Sequence, residues 1–189
     1  MRIIGGQFKG YRFSPPADKW PTRPTTDFSK EALYNILLNV LDFETTNFLD
    51  LFGGSGNHCY ECISRGALTA TYVDKFGNCI KFVRKMAEKL DIEDQITIVR
   101  MDVFKYIQNC NKQYQYIFAG PPYGLPTIHT IPDKIFQNNL LTDDGLLVVE
   151  HNPFVSYNHH PRLTQVRNYG QTHFSFFRPE QKSTVGEEE

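Results

Sequence analysis

Several residues of this 189-residue chain have types and spacings that suit the binding of a nucleoside. Asp50-Leu-Phe-Gly-Gly-Ser-Gly56 follows a short apolar run and precedes a helical stretch. Gly54 and Gly56 let the backbone approach a ligand with no Cβ in the way. Phe52 and Ser55 complete the turn, and the helix start behind it points amide donors at whatever binds. No Lys-Ser/Thr pair follows the last glycine, so the turn is not a P-loop. Asp74 comes about 20 residues on, at the end of the next apolar run, where an acid accepts both hydroxyls of a ribose; Lys75 adjoins it. Asp102 and Val103 follow a third run, where the carboxylate can accept from an adenine amino group. Singly, Asp74 and Asp102 also suit helix N-caps. As a set at successive strand ends, the three acids border one crevice of an open parallel sheet and predict a nucleoside-containing cofactor. NAD and S-adenosylmethionine both fit this much.

A second motif separates the two. Ile117-Phe-Ala-Gly-Pro-Pro-Tyr123 contains two prolines, which fix φ twice and remove two amide donors. The loop is therefore stiff and presents carbonyls. A flat base with an exocyclic amino group suits it: the carbonyl of Gly120 or Pro121 accepts an N–H while the Tyr123 ring stacks. Gly120, Pro121, Pro122 and Tyr123 form the candidate catalytic set. Other reactive residues carry less. Cys59 and Cys62 lack a second pair and fall in a helical stretch, so packing is expected rather than zinc, and Cys79 and Cys110 read as buried thiols. His151, His159 and His160 match no metal-ligand spacing, so no metal is expected. His58 reads either as lining the pocket or as a first-turn surface residue.

These groups need a frame. From residue 47 the pattern alternates strand and helix. Strands are predicted at Phe48 to Phe52, Thr69 to Val73, Ile96 to Val99, Tyr116 to Ala119 and Leu146 to Glu150. Helices are predicted from Asn57 to Arg65, closed by Gly66, and along Phe76, Ile80, Val83, Ala87 and Leu90. This alternation predicts a doubly wound α/β domain with parallel strands and helices on both faces. Leu163 to Tyr169 and Thr172 to Phe177 flank Gly170 as an antiparallel hairpin, with Phe174 and Phe176 on its core face. A further helix should start near Asp27, capped by Thr25, Thr26 or Asp27, with Leu33, Ile36, Leu37, Val40 and Leu41 as its stripe.

Composition bounds the rest. Hydrophobic residues at 40% suffice for one core, and a net charge of -1 gives no global sign of nucleic-acid binding. The distribution differs: Met1 to Lys30 carries six basic residues against two acidic ones, a net +4. Phe8, Tyr11 and Phe13 interleave with Arg2, Lys9 and Arg12, and four prolines follow before Thr25. Residues 1–26 read as a basic hairpin and arm that contacts nucleic acid through stacking and phosphate pairing, ahead of a domain over 27–178. Residues 179–189 read as a disordered tail. No leader opens the chain and no apolar run has bilayer length, so a cytoplasmic, membrane-free protein is expected. With no spare apolar stripe evident, a monomer is expected.

Motif for motif, the chain resembles the RsmD-type methyltransferases of guanine N2 in 16S ribosomal RNA. The stretches that carry the resemblance are Arg2-Ile-Ile-Gly-Gly-Gln-Phe-Lys-Gly10, Arg23-Pro-Thr-Thr-Asp27, Glu31-Ala-Leu-Tyr-Asn35, Leu49 to Gly56, Ser64-Arg-Gly-Ala67, Val73-Asp74, Asp102, Pro121-Pro-Tyr123, Glu150-His151 and Arg167-Asn-Tyr-Gly170. The resemblance implies a Rossmann-like class I methyltransferase domain and S-adenosylmethionine held around Asp50, Gly54, Gly56, Asp74 and Asp102. It implies that Arg23 and Thr25 close over the cofactor, and that the basic arm, with Arg2, Lys9, Arg12 and Arg23, holds ribosomal RNA or the small ribosomal subunit.

One position departs from the family pattern, which has Asp or Asn before the two prolines; this chain has Gly120. An exocyclic guanine nitrogen is a poor nucleophile, because its lone pair is delocalised. A carboxylate accepting one N–H, with a backbone carbonyl accepting the other, aims the lone pair and offsets the developing charge. Loss of one such preorganised group predicts methyl transfer slower by about 10²–10³-fold. A weakened relative that binds cofactor and RNA, and a methyltransferase of adenine N6, are the rival expectations. At Gly53 the family more often has alanine, a change that should be tolerated.

Overall fold

The computed structural model describes residues 1–16 and 25–180. Among the described residues, five α-helices and seven strands follow in chain order. They are α1 (Asp27–Leu37), β1 (Asn47–Leu51), α2 (Asn57–Ser64), β2 (Thr69–Asp74), α3 (Gly77–Leu90), β3 (Ile96–Arg100), α4 (Val103–Asn109), β4 (Tyr114–Ala119), α5 (Ile131–Gln137), β5 (Leu141–His151), β6 (Leu163–Tyr169) and β7 (Thr172–Phe177). The strands form one sheet in the order β3-β2-β1-β4-β5-β7-β6. Strands β1 to β5 pair in parallel, and β7 runs antiparallel to both β5 and β6. The doubly wound sheet and the hairpin about Gly170 are thus as the sequence pattern predicts.

Strand side chains alternate between the two faces of the sheet. Phe48, Tyr72, Tyr116, Phe118, Val148, Phe174 and Phe176 meet α1, α2 and α3 in one core cluster. Leu49, Leu51, Val73, Ile117, Ala119, Leu147, Val149 and Phe177 meet α4 and α5 in the other. Both faces are covered, which is why these strands read as continuous apolar runs rather than alternating ones. Two expectations need correction. Helix α1 ends at Leu37, and Val40 lies 44% exposed beyond it; only Leu33 and Leu37 of the expected stripe are buried. Thr26 is its N-cap, its side chain accepting from the Ser29 amide. Helices α4 and α5 were not anticipated: each has seven residues and buries only two or three apolar side chains, too few to show a helical period.

The basic N-terminal hairpin is tied down by charge. Arg2 bridges Arg12 in an antiparallel pair, so their side chains share one face while Ile3 and Phe13 are buried in the α1–α3 core. The fully buried Glu61 of α2 accepts from the amides of Ile4 at 2.8 Å and Gly5 at 2.9 Å. It also pairs with Lys30 at 3.0 Å and Arg65 at 2.9 Å. Lys30 Nζ donates in turn to the Arg2 carbonyl and to Asn57 Oδ1. Burial pulls the Lys30 amine below its ordinary pKa, and Glu61 opposes that fall. Gly6 has φ +74°, and a Cβ there would stand 1.6 Å from the Ser64 carbonyl oxygen, so the turn docks on the end of α2 only as glycine. Glu61→Ala leaves Lys30 buried without its anion, and should cost about 3–5 kcal/mol in chemical denaturation while opening residues 1–13 to proteolysis.

Candidate active site at the carboxyl edge of the sheet

The sheet register brings the candidate residues into one row. Asp50 pairs with Tyr72 on β2 and Phe118 on β4, while Phe118 pairs with Val148 on β5. By alternation, Asp50, Asp74, position 120 and Glu150 follow Phe48, Tyr72, Phe118 and Val148 on the α1–α3 face. Four positions at the carboxyl ends of β2, β1, β4 and β5 thus share one edge and face of the sheet, and acids fill all but the one held by Gly120.

The glycine turn is built around two of those acids. Asp74 accepts from the Gly54 amide at 2.9 Å through Oδ2 and from the Phe76 amide at 2.9 Å through Oδ1. Gly56 caps α2 with φ +74°, and a Cβ there would meet the Tyr60 hydroxyl at 2.5 Å. Phe52 adopts φ 64° beside it. The Tyr72 hydroxyl donates to the Gly54 carbonyl at 2.7 Å. A Cβ on Gly53 would lie 2.4 Å from that Tyr72 ring, so the ring occupies the space a methyl group would need. Ser55 is buried and donates to the Met1 sulfur at 3.5 Å.

Asp50 has no cation within salt-bridge reach among the described residues, although it is only 1% exposed. Its hydrogen-bond donor is the Cys59 thiol, at 3.4 Å. Burial pushes its carboxyl up to about 8; the Cys59 bond opposes the rise and the Asp74 charge adds to it. Burial also raises Asp74, against the amides of Phe76 and Gly54. Two buried acids on one wall of a glycine turn suit a ligand that brings positive charge, and ribose hydroxyls can use the lone pairs the Asp74 amide bonds leave.

The other candidates divide. Asp102 caps α4, accepting from Phe104 at 3.0 Å and Lys105 at 3.3 Å through Oδ1. It remains partly exposed beside β3. The Val103 side chain is buried in the α4–α5 core, which leaves only its backbone to face a ligand. Lys75 is exposed next to Phe76, whose ring is 37% exposed. Arg23 lies outside the described residues. Lys9 and Arg12 are exposed, and Arg2 pairs with Asp27 at 3.6 Å.

Sequence reasoning missed a buried polar chain beside the Pro-Pro loop. Glu150, 5% exposed, accepts a short hydrogen bond from the Thr25 hydroxyl and one of 3.1 Å from the Tyr123 hydroxyl. Thr25 Oγ1 also lies 3.2 Å from His58 Nε2. His58 is buried, which corrects the surface alternative: it is stacked on Phe118 at 3.7 Å, and burial lowers its imidazole pKa well below the usual range. A helical position beside a glycine turn gives no cue that its side chain points inward. The Glu150-His151 stretch was legible as a motif without its role.

A doubly wound sheet with this strand order, a reversed β7, and a glycine turn closing β1 defines a Rossmann-like class I methyltransferase fold. Residues 1–178 match the family model described as conserved hypothetical protein 95. Ribosomal RNA small subunit methyltransferase D of Buchnera aphidicola subsp. Baizongia pistaciae is 30% identical over 150 residues, 79% of this chain and 75% of that protein. Putative rRNA methyltransferase YlbH of Bacillus subtilis is 31% identical over 154 residues, covering 80% and 82%. The structure of putative methyltransferase yhhF from Escherichia coli superposes with a TM-score of 0.82 at 25% identity, covering 96% of this chain and 99% of the other. The chain belongs to the RsmD-type family.

The Asp50 shift has a sign that can be tested. An acid raised from 3.8 to about 8 costs no stability below about pH 4, and its penalty grows as pH rises through 8. Asp50→Asn should therefore raise the melting temperature of the ligand-free protein at pH 8 by at least about 3 °C, with a much smaller gain at pH 5. Thermal melts across that range check it.

Proposed function

We propose that this chain transfers a methyl group from S-adenosylmethionine to the N2 amino group of a guanine in small-subunit ribosomal RNA, working as a cytoplasmic monomer on the RNA or on the small ribosomal subunit. The observation that carries the reading is the row at the sheet edge. A glycine turn at the end of β1, walled by Asp50 and Asp74, stands next to the stiff loop Gly120 to Tyr123 at the end of the neighbouring β4. The names of the relatives point to ribosomal RNA as the methyl acceptor.

S-adenosylmethionine, when bound, supplies an electrophilic methyl group and a cationic sulfonium. The chain's own residues do the rest. Asp50 provides negative charge for the cationic end of the cofactor. Asp74 accepts from the ribose, and Asp102 with the Lys75–Phe76 corner borders the adenine. The Gly54 and Gly56 backbone admits the methionine portion. The Pro121 carbonyl accepts one amino N–H of the target base while the Tyr123 ring stacks on it, which holds the nitrogen lone pair in line with the methyl group. A cavity of about 280 Å³ lined by Thr26, Phe28, Ser29, Tyr123, Tyr169 and Thr172 opens beside that ring and suits an unstacked nucleotide. Arg2, Lys9 and Arg12 on the hairpin, with Arg23, supply phosphate contacts. Gly120 favours a second reading, a weakened relative that binds cofactor and RNA but turns over slowly.

Calorimetric titration with S-adenosylhomocysteine and mass mapping of treated ribosomal RNA test the proposal. Binding together with a single added methyl on guanine supports it; binding with no transfer in single turnover supports the second reading. Replacing Arg2, Lys9 and Arg12 by alanine together should weaken RNA binding at least tenfold and flatten its salt dependence by roughly two units of the log–log slope, with S-adenosylhomocysteine affinity unchanged.

A further inference from the structure

Gly120 leaves a gap in an otherwise acidic row, and the neighbouring strand carries the acid next to it. Ala119 pairs with Val149, so the following positions, 120 and 150, adjoin across parallel strands β4 and β5. Both project to the α1–α3 face, as Phe118 and Val148 do two residues earlier. A side chain at position 120 would start out toward the Phe118 ring, 3.0 Å from its Cε1, on the side where Glu150 stands. Glu150 has no cationic partner among the described residues. Each carboxylate oxygen takes one donor, Oε2 from Thr25 and Oε1 from Tyr123, which leaves lone pairs on both. One donor belongs to the loop that presents the base, so Glu150 is fixed relative to the Tyr123 ring.

We propose that Glu150 supplies the side-chain acceptor that Gly120 lacks, accepting one hydrogen of the target amino group while the Pro121 carbonyl accepts the other. The proposal rests on the guanine N2 reading above. Thr25 and Tyr123 lock the carboxylate, so it need not reorganise as charge develops. In the transfer, the nitrogen lone pair forms the new N–C bond as the C–S bond breaks. Sulfur keeps that bonding pair and becomes a neutral thioether. The nitrogen then loses its extra proton to the Glu150 carboxylate, which passes it to solvent.

Four proteins test this: wild type, Glu150→Gln, Gly120→Asp and the double variant. All are assayed in single turnover on small-subunit RNA, with S-adenosylhomocysteine affinity and melting temperature as measures of an intact fold. Glu150→Gln should lower the transfer rate by about 10²-fold at unchanged S-adenosylhomocysteine affinity. Gly120→Asp should restore at least tenfold in that background and add less to the wild type. A second readout needs no turnover. Guanosine monophosphate should bind the S-adenosylhomocysteine-loaded wild type more tightly than inosine monophosphate, which lacks the 2-amino group, and Glu150→Gln should lose the preference. Wild-type rates and an undiminished preference in Glu150→Gln overturn the inference while the methyltransferase reading stands. An inactive wild type made active by Gly120→Asp does the same. No transfer by either wild type or Gly120→Asp, with S-adenosylhomocysteine bound, overturns both.

Discussion

Two carboxylates buried on one side of a glycine turn, neither in a salt bridge among the described residues, are the constraint around which the structure is arranged. Asp50 spends its burial on a thiol contact, and Asp74 spends its two oxygens on the amides that shape the turn. Burying a carboxylate without a counter-charge is among the least favourable arrangements a core can contain. In the proposed function the cationic end of the cofactor offsets that cost, which would place selectivity for a positively charged nucleoside at Asp50. Burial sets the tension, and the parallel register sets its place.

The buried charges beneath the N-terminal hairpin, by contrast, are paired. Glu61 is fully buried as well, yet Lys30, Arg65 and two backbone amides satisfy it. That cluster fastens the basic hairpin to α2, the helix that begins at the glycine turn. The segment proposed to hold RNA and the segment proposed to hold cofactor are therefore two ends of one short rigid helix. Across the crevice, Thr25 ties the chain leading into α1 to Glu150, and Glu150 ties the β5 end to the Tyr123 loop. The polar contacts that hold the edge together are the ones that would orient a base.

Much of this was legible in the residues. Gly54, Gly56, Asp50 and Asp74 declare themselves because backbone approach and acid placement leave few alternatives at a strand-to-helix turn. The hairpin about Gly170 shows because period-two alternation runs to both sides of it. What stayed hidden depended on three-dimensional partners. Lys30 and Glu61 look like ordinary surface charges on helices, since a buried ion pair has no period. His58 looks like a first-turn residue until Phe118 is known to lie under it. Gly53 looks like a spare glycine of the turn until the Tyr72 ring is seen in the space a Cβ would need. Glu150 is adjacent to position 120 only through the register of β4 and β5, which no local pattern encodes.

With burial pushing its carboxyl up to about 8, Asp50 is expected to hold a proton at pH 7 and to lose it when a cationic ligand binds. Calorimetry of S-adenosylhomocysteine binding at pH 7, repeated in buffers of different ionisation enthalpy, counts the protons exchanged. An acid raised to about 8 in the free protein and paired with the ligand's ammonium in the complex predicts release of close to one proton per binding event. That release should vanish in Asp50→Asn. Binding with no proton release in the wild type would contradict the account.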